Sequence, residues 1–211
     1  MDRIYIMKVG FLTTYFYPIT RGAENNCFYI AKELAKKYEV HVFTSDRKGN
    51  ELFEKEETTH NINIHRFKTW FRYRYYLALY PGIINAIKKQ DLDILHVHSL
   101  GFFQHDLAIL IKKLNKKSKK SKLVITPHGP FMELDNYDLH ERILRKAAII
   151  LEHPFNKLYD AVIQVNPYQH TWLTELGFNY SKIHFIPNGI PKEAFRKIPK
   201  IKKYKGKFII T

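Results

Sequence analysis

The sequence predicts an α/β fold, a doubly wound and mainly parallel sheet covered by helices. Three observations carry that expectation. Apolar runs of strand length alternate with segments whose apolar residues recur at helical spacing. The strand-like runs are continuous, as strands covered on both faces require. Turn-forming Gly, Pro and Asn residues stand where several of those runs end.

In chain order, Ile4–Leu12 reads as a first strand, and from Ala23 the residues Cys27, Ala31, Leu34 and Tyr38 mark a helix. EVHVFT (39–44) and INIHRF (62–67) read as strands around a polar loop. Pro81 suits a first helical position, with Ile83, Ile84 and Ile87 behind it. DILHVHS (93–99) is the next strand, and Leu107, Leu110, Ile111 and Leu114 mark the helix after it. LVITPHG (123–129) reads as a strand with a Pro/Gly exit, and Leu139–Tyr159 as a helix with a break or kink at Pro154. DAVIQV (160–165) is a strand, Pro167–Leu176 a helix stopped by Gly177, and KIHFIPNGI (182–190) the last clear strand. Strands separated by helices give βαβ units. No internal repeat is visible.

A chain of 211 residues can bury one large core or two small ones. With 45% hydrophobic and 15% aromatic residues it is not a disordered protein. No apolar run reaches the roughly 18–20 residues of a transmembrane helix, and the first residues do not form a signal peptide. The one cysteine, Cys27, excludes an intramolecular disulfide and fits a reducing, cytoplasmic compartment. The net charge of +15 is concentrated: seven lysines fall within Lys112–Lys122, and a second group lies between Lys192 and Lys207. These read either as solvated connectors or as attraction to an anionic surface. No recognition helix, zinc knuckle or stacking sheet accompanies them, so nucleic acid is not an expected partner.

Ligands of such sheets sit at the carboxyl ends of strands. Four places qualify: Thr13–Glu24, His98–Ser99, His128–Gly129 and Asn188–Gly189. At the first, Gly22 is either a plain turn or a point where backbone approaches an anion at a helix N-terminus, and Glu24 suits the first turn of that helix. At the second, His96 and His98 share one strand face but lack a third metal ligand at a useful spacing. Asp91-Leu92-Asp93 matches a metal-binding D-x-D pattern, yet it precedes its strand and reads as a helix exit. At the third, His128 stands between Pro127 and Gly129, either buried structurally or aimed into a cleft. Asn188-Gly189 suits a tight turn.

Taken together, PITRGAE (18–24), DILHVHS, TPHG, DAVIQV and IPNGI resemble, in order and spacing, the motifs of one family. It is the retaining nucleotide-sugar glycosyltransferases of family 4, built from two Rossmann-like domains in the GT-B fold. The resemblance implies that residues 1–205 are the N-terminal, acceptor-side domain and 206–211 the start of a missing C-terminal nucleotide-sugar domain. It implies a sugar passing from a nucleotide diphosphate to an acceptor hydroxyl with retention, without metal or cofactor, and a chain inactive on its own. Gly22 and Arg21 would lie near the donor diphosphate, Arg21 replacing a family glycine. His128 would be catalytic, beside the transferred sugar. His98, Ser99 and Glu24 would face the acceptor, with Gly129, Asn188 and Gly189 shaping turns at the cleft.

Two other classes stay open, a basic module on membrane or nucleic acid and another Rossmann-type nucleotide enzyme, for which Asp46 would be the ribose-binding acid. The stretch RFKTWFRYRYYLALY (66–80) interleaves Arg66, Lys68, Arg72 and Arg74 with Trp70, Phe71 and several tyrosines. Its arginines could stack on these rings inside the fold, or its rings on single-stranded nucleic acid. The preferred reading is a site of anionic membrane contact, cations meeting lipid while rings settle at headgroup level. The expected partners are a nucleotide sugar, a carbohydrate or lipid-linked acceptor, the chain's own C-terminal domain and the inner face of the cell membrane.

Overall fold

The computed structural model describes residues 6–48, 50–73, 77–115, 121–128 and 138–195. Eight strands form one sheet: β1 (Lys8–Leu12), β2 (Glu39–Ser45), β5 (Glu56–Thr59), β6 (Ile62–Phe67), β9 (Ile94–His98), β10 (Lys122–Thr126), β11 (Ala161–Gln164) and β12 (Ile183–Phe185). Their order is β12-β11-β10-β9-β1-β2-β6-β5, and every pairing is parallel except β5 with β6. Short hairpins β3 (Arg47–Lys48) with β4 (Glu51–Leu52), and β7 (Phe71–Tyr73) with β8 (Leu77–Leu79), stand apart from it. The parallel sheet is the one the alternating pattern predicts. The last strand is shorter than expected, three residues rather than the whole of 182–190.

Helices cover both faces. On one side α1 (Gly22–Leu34) lays Cys27 and Ala31 over Val9, Phe11, Val40, Val42, Ile62 and Ile64. On the other, α2 (Gly82–Lys89), α3 (Phe103–Leu114) and α5 (His170–Glu175) bury Ile83, Ile87, Ala108, Ile109 and Leu173 against Leu12, Phe43, Leu95, Val97, Leu123 and Ile125. Each such aliphatic side chain contributes about 1.5–3 kcal/mol on leaving water. Gly10 is required by this packing, because a Cβ there would stand 2.4 Å from Leu92 Cδ1. Gly177, at φ +88°, ends the helical stretch as its sequence position predicts.

Two helices differ from expectation. In α3 the buried residues are Gln104, His105, Asp106, Ala108, Ile109 and Lys112, whereas Leu114 is 70% exposed. The buried Lys112 is held by donating from Nζ to Gln90 O at 3.0 Å. Helix α4 (Leu139–Asn156) runs through Pro154 rather than breaking there, and Asp138 caps it by accepting from the Glu141 N–H at 2.9 Å.

Ile149 of α4 packs on the core, but polar residues are buried beside it. Glu152 and Asn156 face inward, while Leu139, Ile143, Ala147, Ile150 and Leu151 face outward. Glu152 meets Asp106 near the start of α3, the two sharing a hydrogen bond.

Candidate active site

The carboxyl ends of β1, β10, β11 and β12 bring together a cavity of about 590 Å³, lined by Gly22, Ala23, His128, Val165, Asn166, Pro167, Gln169 and Asn188. Residues from three of the four selected strand ends thus meet at one cavity. Gly22 opens α1, and nothing lies within 4 Å of the place a Cβ would occupy, so the backbone there borders open space. The first intrahelical bond runs from Asn25 N–H to Arg21 O at 2.8 Å. The backbone N–H groups that precede it make the helix start a favourable place for an anion. Arg21 is the exposed, extended residue before the helix, and its charge reaches Tyr15.

His128 leaves β10 in the left-handed region, at φ 55°. Parallel register pairs Thr126 with His98 across β10 and β9. That register brings His98 Nδ1 to 3.2 Å from His128 Nε2. Burial lowers the pKa of His128 to about 4 and that of His98 well below the ordinary histidine value, so both rings are neutral at neutral pH. His96, lowered by burial to about 3, bonds Thr126 Oγ1 through Nε2 at 2.8 Å.

His98 is 0% exposed, so it stands behind His128 and does not line the cavity. The expectation that it meets an acceptor directly is replaced by contact with His128. Ser99 is half-buried at φ 78°, its N–H donating to Thr126 O at 3.0 Å. Glu24 is buried in the first turn of α1, where its carboxyl raises the pKa of the Cys27 thiol beyond the shift that burial gives. Asn188 lines the cavity, and Gly189 beside it is exposed. Gly129 and Arg74 lie outside the described residues.

The stretch from Arg66 divides. Arg66 is 2% exposed, and this corrects its expected membrane contact. Its guanidinium pairs with Glu57 Oε2 at 2.7 Å and donates to Tyr17 O at 2.9 Å and Glu54 O at 3.2 Å. Lys68, Trp70, Phe71 and Arg72 are exposed, Trp70 at 71%. Arg72 also turns back to hydrogen-bond the Tyr15 side chain at the rim.

Several residues at this rim were not selected from sequence. Gln104 ties the β7–β8 hairpin to α3, accepting from Tyr80 N–H and donating to Ala78 O, both at 2.8 Å. Tyr80 Oη stands 2.5 Å from His105 Nε2 and donates to Thr14 Oγ1 at 3.3 Å. Asn166 and Gln169 cap the 3₁₀ turn Pro167–Gln169 that walls the cavity. Asn-Pro directly after a strand was the available signal for that turn. Asp93 lies at the opposite end of β9, its carboxylate accepting from Lys8 N–H at 2.7 Å. No group of three or more potential metal ligands occurs among the described residues.

The fold recurs in solved structures. Anabaena Alr3699/HepE, in complex with UDP and glucose, is 16% identical with a TM-score of 0.59, over 92% of this chain and 47% of that one. The catalytic domain of starch synthase IV from Arabidopsis thaliana, bound to ADP and acarbose, is 13% identical with a TM-score of 0.60, over 94% and 55%. A sucrose-phosphate synthase structure from Thermosynechococcus elongatus is 14% identical with a TM-score of 0.54, over 89% and 92%. The α/β fold with its mostly parallel sheet is thus the one these GT-B neighbours share. The family model for Glycosyltransferase Family 4 matches residues 20–194, and the chain belongs to that family. No curated protein matches it. The chain spans about half the length of HepE. Among the described residues no helix is long and apolar enough to cross a membrane.

Proposed function

We propose that this domain is the acceptor-side half of a retaining glycosyltransferase that moves a sugar from a nucleotide diphosphate to an acceptor hydroxyl. One observation carries the reading: the start of α1, His128 and Asn188 border a single cavity at the carboxyl rim of the sheet. The helix start there favours the diphosphate, and a neutral His128 offers a hydrogen bond to the sugar without adding charge. UDP, glucose and ADP in the related structures support a nucleotide-sugar donor.

In this reading a second Rossmann-like domain supplies the remaining diphosphate and nucleotide contacts. The protein's task is orientation and stabilisation of the leaving diphosphate. The leaving group itself takes the acceptor proton, so no protein nucleophile or metal is needed. Incubating the two-domain polypeptide with UDP- and ADP-sugars, and measuring nucleotide release with and without acceptor, tests this.

A second observation supports the reading that this domain works at a membrane surface. Trp70, Phe71 and Leu79 on the hairpin, Phe103 at the start of α3 and Leu139 and Ile143 in the N-terminal half of α4 all expose apolar side chains. Lys68 and Lys146 are exposed on the hairpin's approach and on that same half of α4. The rim docks on anionic lipid in this reading, the rings at headgroup level and the lysines on phosphate.

A further inference from the structure

We infer that His98 is a positioning residue that fixes the tautomer of His128, so that His128 presents an Nδ1–H donor. The inference rests on the proposal that His128 works at the sugar site, but its first test does not. One hydrogen bond joins His98 Nδ1 to His128 Nε2 at 3.2 Å, and one of the two nitrogens must carry the hydrogen. His98 Nε2 decides which. It is buried and has no hydrogen-bond partner among the described residues, and the ring lies against Phe11 and His96, with centroids 5.7 and 4.3 Å away.

Suppose His128 Nε2–H donated to His98. A neutral His98 would then carry its own hydrogen on Nε2, leaving a buried N–H without an acceptor. Orphaned buried N–H groups are rarer than bare acceptors. The other arrangement leaves only a lone pair at that position. His98 therefore donates from Nδ1, and the neutral His128 holds its hydrogen on Nδ1, free to serve a substrate oxygen. Burial keeps both rings neutral, which removes the alternative of an imidazolium donating in both directions. The hydrogen a histidine carries is set by the bond its other nitrogen makes.

The test is a long-range proton–nitrogen correlation spectrum of the ¹⁵N-histidine-labelled 211-residue chain near neutral pH. The inference expects His128 protonated at Nδ1 and bare at Nε2; protonation at Nε2 overturns it. His98→Asn keeps a donor where Nδ1 stands, and His98→Leu removes it. His128 should hold its tautomer in His98→Asn and shift towards Nε2–H in His98→Leu; an unchanged tautomer in His98→Leu overturns the inference. Should His98→Leu fail to fold, the wild-type and His98→Asn spectra decide alone. In the two-domain polypeptide, His98→Leu should lower kcat about tenfold with KM little changed, and His98→Asn should restore it. A polypeptide that transfers no sugar at all refutes the functional reading and leaves the tautomer result standing.

Discussion

Asn26 in α1 donates from Nδ2 to Asn188 Oδ1 at 2.8 Å, although 162 residues separate them. The segment after β12 therefore returns from the sheet edge to α1, where the charge of Lys192 also reaches Glu33. This return brings Asn188 to the cavity that Gly22 also lines.

The isolated 211-residue chain should transfer no sugar at a useful rate, while the two-domain polypeptide does. In the proposed reading the second domain supplies several diphosphate contacts, each worth about 2.7–4 kcal/mol of transition-state stabilisation. Product formation assayed on both proteins with the same donor and acceptor checks this. Robust turnover by the short chain would place the active site elsewhere.

Arg66→Met should destabilise the fold by about 3 kcal/mol, leaving Glu57 and two backbone carbonyls without their partner. Urea unfolding at neutral pH measures it. Binding to lipid vesicles by the folded fraction should not change, because the side chain does not reach the surface.

Stability should decline on both sides of neutrality. Burial, followed by the neighbouring Glu152, raises Asp106 to about 9. Its unfolded value is near 3.9, so the folded state binds more protons between the two, and stability is lost as pH rises through that window. Burial lowers His96 and His105 to about 3 and His128 to about 4, against about 6.5 unfolded. Their contribution is lost as pH falls below about 6.5. Melting temperatures from pH 5 to 9 should show Asp106→Asn losing less than wild type above pH 7. Parallel curves would contradict the assignment.

Anionic vesicles should sediment the protein at low salt and release it at high salt, each exposed lysine contributing about 1 kcal/mol. Changing Trp70 and Phe71 to Ser should weaken binding, and changing Leu139 and Ile143 to Ser should weaken it independently. Equal sedimentation of all variants would remove the membrane reading.

Much of this architecture was legible because covered parallel strands are written as continuous apolar runs, as in KVGFL and ILHVH. The meeting of Gly22, His128 and Asn188 followed from the strand-end rule. What escaped depends on partners distant in sequence. Arg66 looked like a surface cation because its acid, Glu57, lies on an antiparallel edge strand that the sequence hardly marks. Helix α4 has a regular apolar stripe, but periodicity does not say which face turns inward. Here Glu152 turns inward to meet the buried Asp106. His98 looked like a cleft residue until the β9–β10 register set it behind His128.

The central claim is that the cavity beside His128 is where sugar transfer occurs. Its most direct measurement is kcat of the two-domain polypeptide carrying His128→Ala, with thermal melting recorded on the same samples. The expected result is a loss of about 10²–10³-fold in kcat per folded molecule. Full activity per folded molecule would contradict it.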